Sequence, residues 1–84
     1  MKEFLEYVVL HLVRHPELAR FYDVSDETAM RFRLELESED VGLVVGRGGH
    51  TISAIRNLLA AAAAKKGLHA YVEVVERTES ETAQ

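Results

Sequence analysis

Between two helix-like apolar patterns the chain carries Val44-Val45-Gly46-Arg47-Gly48-Gly49, three glycines in four residues. Glycine costs a helix interior roughly 1 kcal/mol relative to alanine, so a helix approaching this run stops and a new one starts beyond it. On the N-terminal side Val41, Val44 and Val45 supply an i, i+3, i+4 apolar face. Ser38 is placed to cap that helix, with Glu39 and Asp40 in its first turn. On the C-terminal side a second helix is expected from about His50 or Thr51, burying Ile52, Ile55, Leu58, Leu59 and Ala62 or Ala63. Its alanine run, Ala60 to Ala64, has the highest helix propensity available. Lys65 and Lys66 suit the last turn, and Gly67 suits the C′ position that ends it.

The other elements follow from periodicity. Lys2 to His15 has Phe4, Leu5, Val8, Leu12 and Val13 at helical spacing, and Pro16 supplies the stop. Leu18 to Val24 reads as a weak strand and Ser25-Asp26-Glu27 as a turn. In Thr28 to Glu37, Met30, Phe32, Leu34 and Leu36 alternate with Arg31, Arg33, Glu35 and Glu37, which predicts one buried and one wet face. The arginines there are expected to pair with acids across the solvated surface. Leu68 to Glu76 alternates in the same way, Ala70, Val72 and Val74 against His69, Tyr71, Glu73 and Val75. The predicted order is therefore αββααβ. The first two strands pair as an antiparallel hairpin, and the last two are parallel across a right-handed helical crossover. This is an α+β domain, a three-stranded mixed sheet with helices packed on one face. One domain is expected over residues 1–77, with 78–84 a disordered polar tail.

Composition removes whole classes of function. With no cysteine, the chain forms no disulfide, thiolate metal site or cysteine nucleophile. No apolar run nears the roughly 18 residues needed to span a bilayer, and Met1-Lys2-Glu3-Phe4 lacks a secretory layout. A cytoplasmic protein with no membrane association is expected. There is no H-E-x-x-H, no G-x-S-x-G and no carboxylate pair placed by a cleft, so no enzyme is expected. His11, His15 and His69 are scattered without ligand spacing, and neither metal nor cofactor is expected.

The glycine run is the one motif with chemistry. Three glycines let a backbone approach a ligand closely, and the helix that follows presents free N–H groups to an anion. A mononucleotide loop needs a Lys-Ser or Lys-Thr pair, which the chain lacks, and a dinucleotide fingerprint needs a preceding strand. Helix–GxxG–helix instead fits a clamp on the sugar-phosphate backbone of a few unpaired nucleotides. The segment from Asp40 to Gly49, followed by Ile52 and Ala54-Ile55-Arg56, resembles the core of a K-homology (KH) domain. The element order resembles the type II arrangement, and the whole chain from Lys2 to Glu76 is similar to the small stand-alone bacterial KH proteins.

The resemblance implies a sequence-tolerant binder of single-stranded RNA, a post-transcriptional regulator or RNA chaperone linked to control of cell shape and cell wall. It also implies a homodimer, or a heterodimer with a larger KH-containing partner. On this chain it makes Gly46, Arg47, Gly48 and Gly49 the clamp, and brings the amides of His50 and Thr51 to phosphates. Val41, Val45 and Ile52 would line a base groove, and Arg56 would reach the nucleic-acid backbone. Glycine at position 48 makes the clamp looser. Blander roles stand beside these: a mere helix–helix turn for the glycines, core packing for Val45 and Ile52, solvation or capping for His50. The rival function is a KH-fold adaptor that pairs with proteins and binds no RNA, with the outer alanine surface in a dimer seam.

A net charge of −4 argues against a nucleic-acid partner until its distribution is examined. Residues 1–40 carry −5 and residues 73–84 carry −3, whereas residues 41–72 carry +4 from Arg47, Arg56, Lys65 and Lys66 with no acid. The only long acid-free stretch holds the glycine loop and its helix.

Overall fold

The computed structural model describes residues 1–77. The tail expected at 78–84 lies outside the described residues. Helix α1 spans Lys2–Leu10, strand β1 Arg20–Asp23, strand β2 Ala29–Leu36, helix α2 Ser38–Val45, helix α3 His50–Ala64 and strand β3 His69–Glu76. Short 3₁₀ turns occupy Pro16–Leu18 and Arg47–Gly49. The sheet order is β1-β2-β3; β1 pairs with β2 antiparallel, and β2 with β3 parallel. The α+β class, the element order and the mixed sheet match the expectation.

Alternation in β2 sends Met30, Phe32, Leu34 and Leu36 into the core and leaves Arg31 and Arg33 exposed. Leu5 and Val9 of α1, Val44 of α2, and Ile52, Ile55, Leu59 and Ala63 of α3 complete that core with Val72 of β3. The opposite face of the sheet carries Arg31, Arg33 and Tyr71. Arg31 pairs with Asp26 at 3.7 Å and Arg33 with Glu73 at 3.7 Å. In the β1–β2 connection the Asp26 carboxylate accepts the Thr28 N–H at 2.8 Å and the Ala29 N–H at 2.9 Å. The Asp23 carboxylate accepts the Ser25 N–H at 3.0 Å.

Several local expectations are corrected. The first helix ends at Leu10, not at His15. The chain tightens there, with the His11 and Leu12 amides donating to the Val8 and Val9 carbonyls. Beyond that turn the Arg14 and His15 amides both donate to Asp40, each at 3.0 Å. Asp40 is 1% exposed. A carboxylate from α2 thus takes the donors that a longer helix would have used. Pro16 opens a 3₁₀ turn, where its fixed φ fits. Glu37, not Ser38, caps α2: its carboxylate accepts the Glu39 N–H at 2.9 Å. Leu58 faces outward, and the buried stripe of α3 runs Ile52, Ile55, Leu59, Ala63. Gly67 does end α3 as expected, with φ of 74°, its own amide on Ala64 and that of Leu68 on Ala63.

Candidate nucleic-acid interface

The loop between α2 and α3 is built on positive φ. Gly46, Gly48 and Gly49 have φ of 79°, 64° and 78°, a region that side chains rarely enter. Gly46 is the tightest of the three. A Cβ there would lie 2.7 Å from Thr51 Cβ and 3.0 Å from Thr51 N. Gly48 and Gly49 are open: a Cβ on Gly48 would meet only the His50 ring, at 3.7 Å, and one on Gly49 nothing within 4 Å. The backbone at 48–49 is therefore free for a ligand to approach, while position 46 fixes the loop against α3.

Two loop amides are spent internally: Gly49 donates to the Gly46 carbonyl at 3.1 Å, and His50 donates to that of Arg47. The first turn of α3 has no side-chain cap, which leaves donors there for an anion. Arg47 is exposed on the loop, and the His50 ring sits beside Gly48. The His50 amide is turned to Arg47, so the part left to His50 at an anion site is its ring.

The remaining expected residues spread along the surface leading from the loop. Val41 and Val45 are half-buried against the core, and Ile52 is buried within it. Arg56 reaches across from α3 to β3: its Nε and one terminal nitrogen donate to the Val72 carbonyl at 3.3 and 3.0 Å. Because β3 is an edge strand, this guanidinium covers part of the sheet edge and closes the floor between α3 and β3. The structure sets Thr51 against Gly46 of the loop, buries Ile52 in the core and ties Arg56 to the Val72 carbonyl of β3. The open backbone at 48–49 and the uncapped start of α3 leave room and donors for an anion at the loop.

The KhpA/KhpB KH-domain profile matches residues 2–74. The chain belongs to the KhpA/KhpB KH-domain family. Among curated relatives it is 36% identical to a protein of Chlamydia pneumoniae named RNA-binding protein KhpA, over 90% of this chain and 97% of that one. A protein of the same name from Clostridium perfringens is 35% identical over 89% of this chain and 100% of its own. Another from Thermotoga maritima is 36% identical over 73% of this chain and 81% of its own. No solved structure gives a significant match.

Sequence reasoning missed what depends on distant pairing. His15, Glu37 and Glu39 bring ligand-type atoms within 4.8 Å of one another. His15 Nε2 lies 3.2 Å from Glu39 Oε1. That hydrogen bond raises the His15 pKa above its ordinary value, and the charges of Asp40 and Glu37 add to the effect. Glu37 is already engaged in capping α2. No spacing rule links positions 15 and 39; only the contact between the 14–15 segment and α2 brings them together. Arg31 over Tyr71, with Cζ 4.8 Å from the ring centroid, was hidden for the same reason.

Proposed function

We propose that this KH-domain protein binds single-stranded RNA. In this reading the loop Gly46–Gly49 clamps the sugar-phosphate backbone, and the strip through Val41, Val45 and Arg56 receives the bases, with the expected groove residue Ile52 instead buried beneath it as core. The observation that carries the reading is the loop itself: three positive-φ glycines at the uncapped start of α3, with Arg47 exposed, inside the long acid-free stretch 41–72. The names of its relatives, RNA-binding protein KhpA, support the same ligand. Unpaired nucleotides suit the site because their backbone is accessible and their faces can be buried. The protein then acts as a binding module in the cytoplasm, a post-transcriptional regulator or RNA chaperone within the control of cell shape and cell wall. Among the described residues no helix is long and apolar enough to cross a membrane.

Binding through about three phosphates should make log affinity for a uridine-rich single strand fall with log salt at a slope of about −2. Filter binding between 50 and 200 mM salt measures it. A flat profile would remove the backbone clamp from the account.

Pairing belongs to the same proposal. Met1, Phe4, Leu58 and Ala62 line one apolar pocket on the outer surface of α1 and α3. Leu58 is 58% exposed and Phe4 40% exposed, which supports an apolar seam, either with a second copy or with a larger KhpB-like partner. Two linked clamps would bind one strand more tightly than one. Leu58→Glu should convert the wild-type dimer to monomer in light scattering. A wild-type monomer at tens of micromolar would leave only the unlike partner.

A further inference from the structure

Asp40 does more than replace the last turn of α1. By holding the Arg14 and His15 amides at 3.0 Å each, it fixes the backbone from which the His15 side chain leaves, and Pro16 restricts the chain beyond. The His15 ring then lies against the start of α2. Its Nε2 is 3.2 Å from Glu39 Oε1, and its Nδ1 is 3.9 Å from Glu17 Oε2. Glu37 stands in the same group: one ligand-type atom from each of His15, Glu37 and Glu39 lies within 4.8 Å of the others. Glu37 keeps Oε1 on the Glu39 amide at 2.9 Å, while Oε2 takes only the Ser38 hydroxyl at 3.3 Å and can exchange that partner. An ion pair needs one ring nitrogen and one carboxylate. This ring has a carboxylate at each nitrogen, the arrangement in which one nitrogen binds a cation and the other donates its proton to an outer carboxylate.

We infer that His15, Glu37 and Glu39 form a site for a zinc-class divalent cation, with Glu17 as the outer carboxylate on His15 Nδ1. One imidazole and two carboxylates suit zinc, whereas magnesium prefers oxygen alone. Bonds of about 2.0–2.2 Å in a tetrahedron place donor atoms roughly 3.4 Å apart. His15 and Glu39 already stand at that spacing, and Glu37 closes the remainder by side-chain rotation. Three protein donors leave a fourth position for water. Two charges oppose the cation: the positive end of the α2 dipole, and Arg14, which lines a cleft with Glu39. The dipole is screened at an exposed helix start, and residues 1–40 carry a net −5. The glycine loop opens at the far end of α2, about 12 Å along the helix. The cation therefore clips the segment 14–17 onto α2 without occupying the proposed RNA site.

The test is a calorimetric titration of the full chain with zinc chloride, beside magnesium chloride, paired with imidazole ¹⁵N NMR spectra. One zinc per chain should bind and magnesium should not, with the Nε2 resonance of His15 moving while those of His11, His50 and His69 stay. Zinc should also raise the melting temperature, and a chelator should reverse the rise. Glu39→Gln and His15→Gln leave the backbone amides on Glu37 and Asp40 in place. Each should weaken zinc binding roughly tenfold or more, and Glu17→Gln about tenfold through the outer carboxylate. His11→Gln should bind as wild type. Zinc affinity unchanged in both Glu39→Gln and His15→Gln overturns the inference. So does a wild-type chain in which zinc moves only the other histidines, or leaves the melting curve where it was. Equal binding of zinc and magnesium would mean a diffuse attraction to acids rather than an imidazole site, which also overturns it.

Discussion

Asp40 sits inside the motif segment yet faces away from the loop. Its two oxygens hold the Arg14 and His15 amides at 3.0 Å each, at a site almost closed to solvent. Removing the acceptor leaves two donors with poor access to water. Asp40→Ala should therefore cost about 2–3 kcal/mol, read as a lower urea midpoint at unchanged slope. Beside it, His15 has a pKa raised first by its hydrogen bond to Glu39. A group whose folded pKa lies above its unfolded value stabilises the fold fully below the unfolded value, about 6.5. That contribution is lost as pH rises through the higher folded value. The melting temperature should accordingly drift down as pH rises from about 6.5, and His15→Gln should flatten the drift. Asp23 and Asp26 act with the opposite sign. Hydrogen bonds from Ser25 depress the first, and those from Thr28 and Ala29 the second. Their contribution is present above about pH 3.9 and fades as pH falls through the lower folded values. Gly46→Ala belongs at this scale too: φ of 79° and the approach to Thr51 should make it more destabilising than Gly49→Ala, where a Cβ meets nothing. Paired urea titrations compare the two.

Among the elements, legibility follows the range of the forces involved. Strands β2 and β3 are plain in the sequence because alternation is local and one face of each is buried. Helices α2 and α3 are plain because a glycine run divides them and Gly67 ends the second. The end of α1 is not, because the carboxylate that takes the Arg14 and His15 amides lies 26 and 25 residues further on. Glu37 replaces Ser38 as the cap because its side chain reaches the Glu39 amide from one residue earlier, a choice that residue type alone does not decide. Leu58 looked buried by spacing. The stripe of α3 that meets the sheet is one residue wide at that level, and Leu59 fills it. The outward leucine is the basis of the proposed pairing, and periodicity hides it because it adds to the same apolar count.

At the scale of the molecule, the residues of the proposed site separate into those legible as chemistry and those fixed by packing. Gly46, Gly48, Gly49 and Arg47 were recognisable because positive φ and charge are written in residue type. Arg56 was recognisable as a cation near the loop, but its hold on the Val72 carbonyl depends on which strand forms the sheet edge. The charge distribution then explains how a chain of net charge −4 can serve an anionic ligand. Acids of residues 1–40 and beyond 72 lie outside the stretch that forms the strip, and screening over about 8–10 Å limits what they contribute there. With so little positive charge elsewhere, the proposed binding rests on the loop. The decisive measurement is therefore the affinity of the double variant Arg47→Asp, Gly48→Asp for a single-stranded RNA pool, beside wild type at the same salt. Position 48 has room for a side chain, and aspartate tolerates its φ, so the melting curve should stay close to wild type. The expected result is a loss of RNA binding of at least tenfold with the fold retained. Unchanged RNA affinity in a folded double variant would contradict the clamp and leave the chain a protein–protein adaptor.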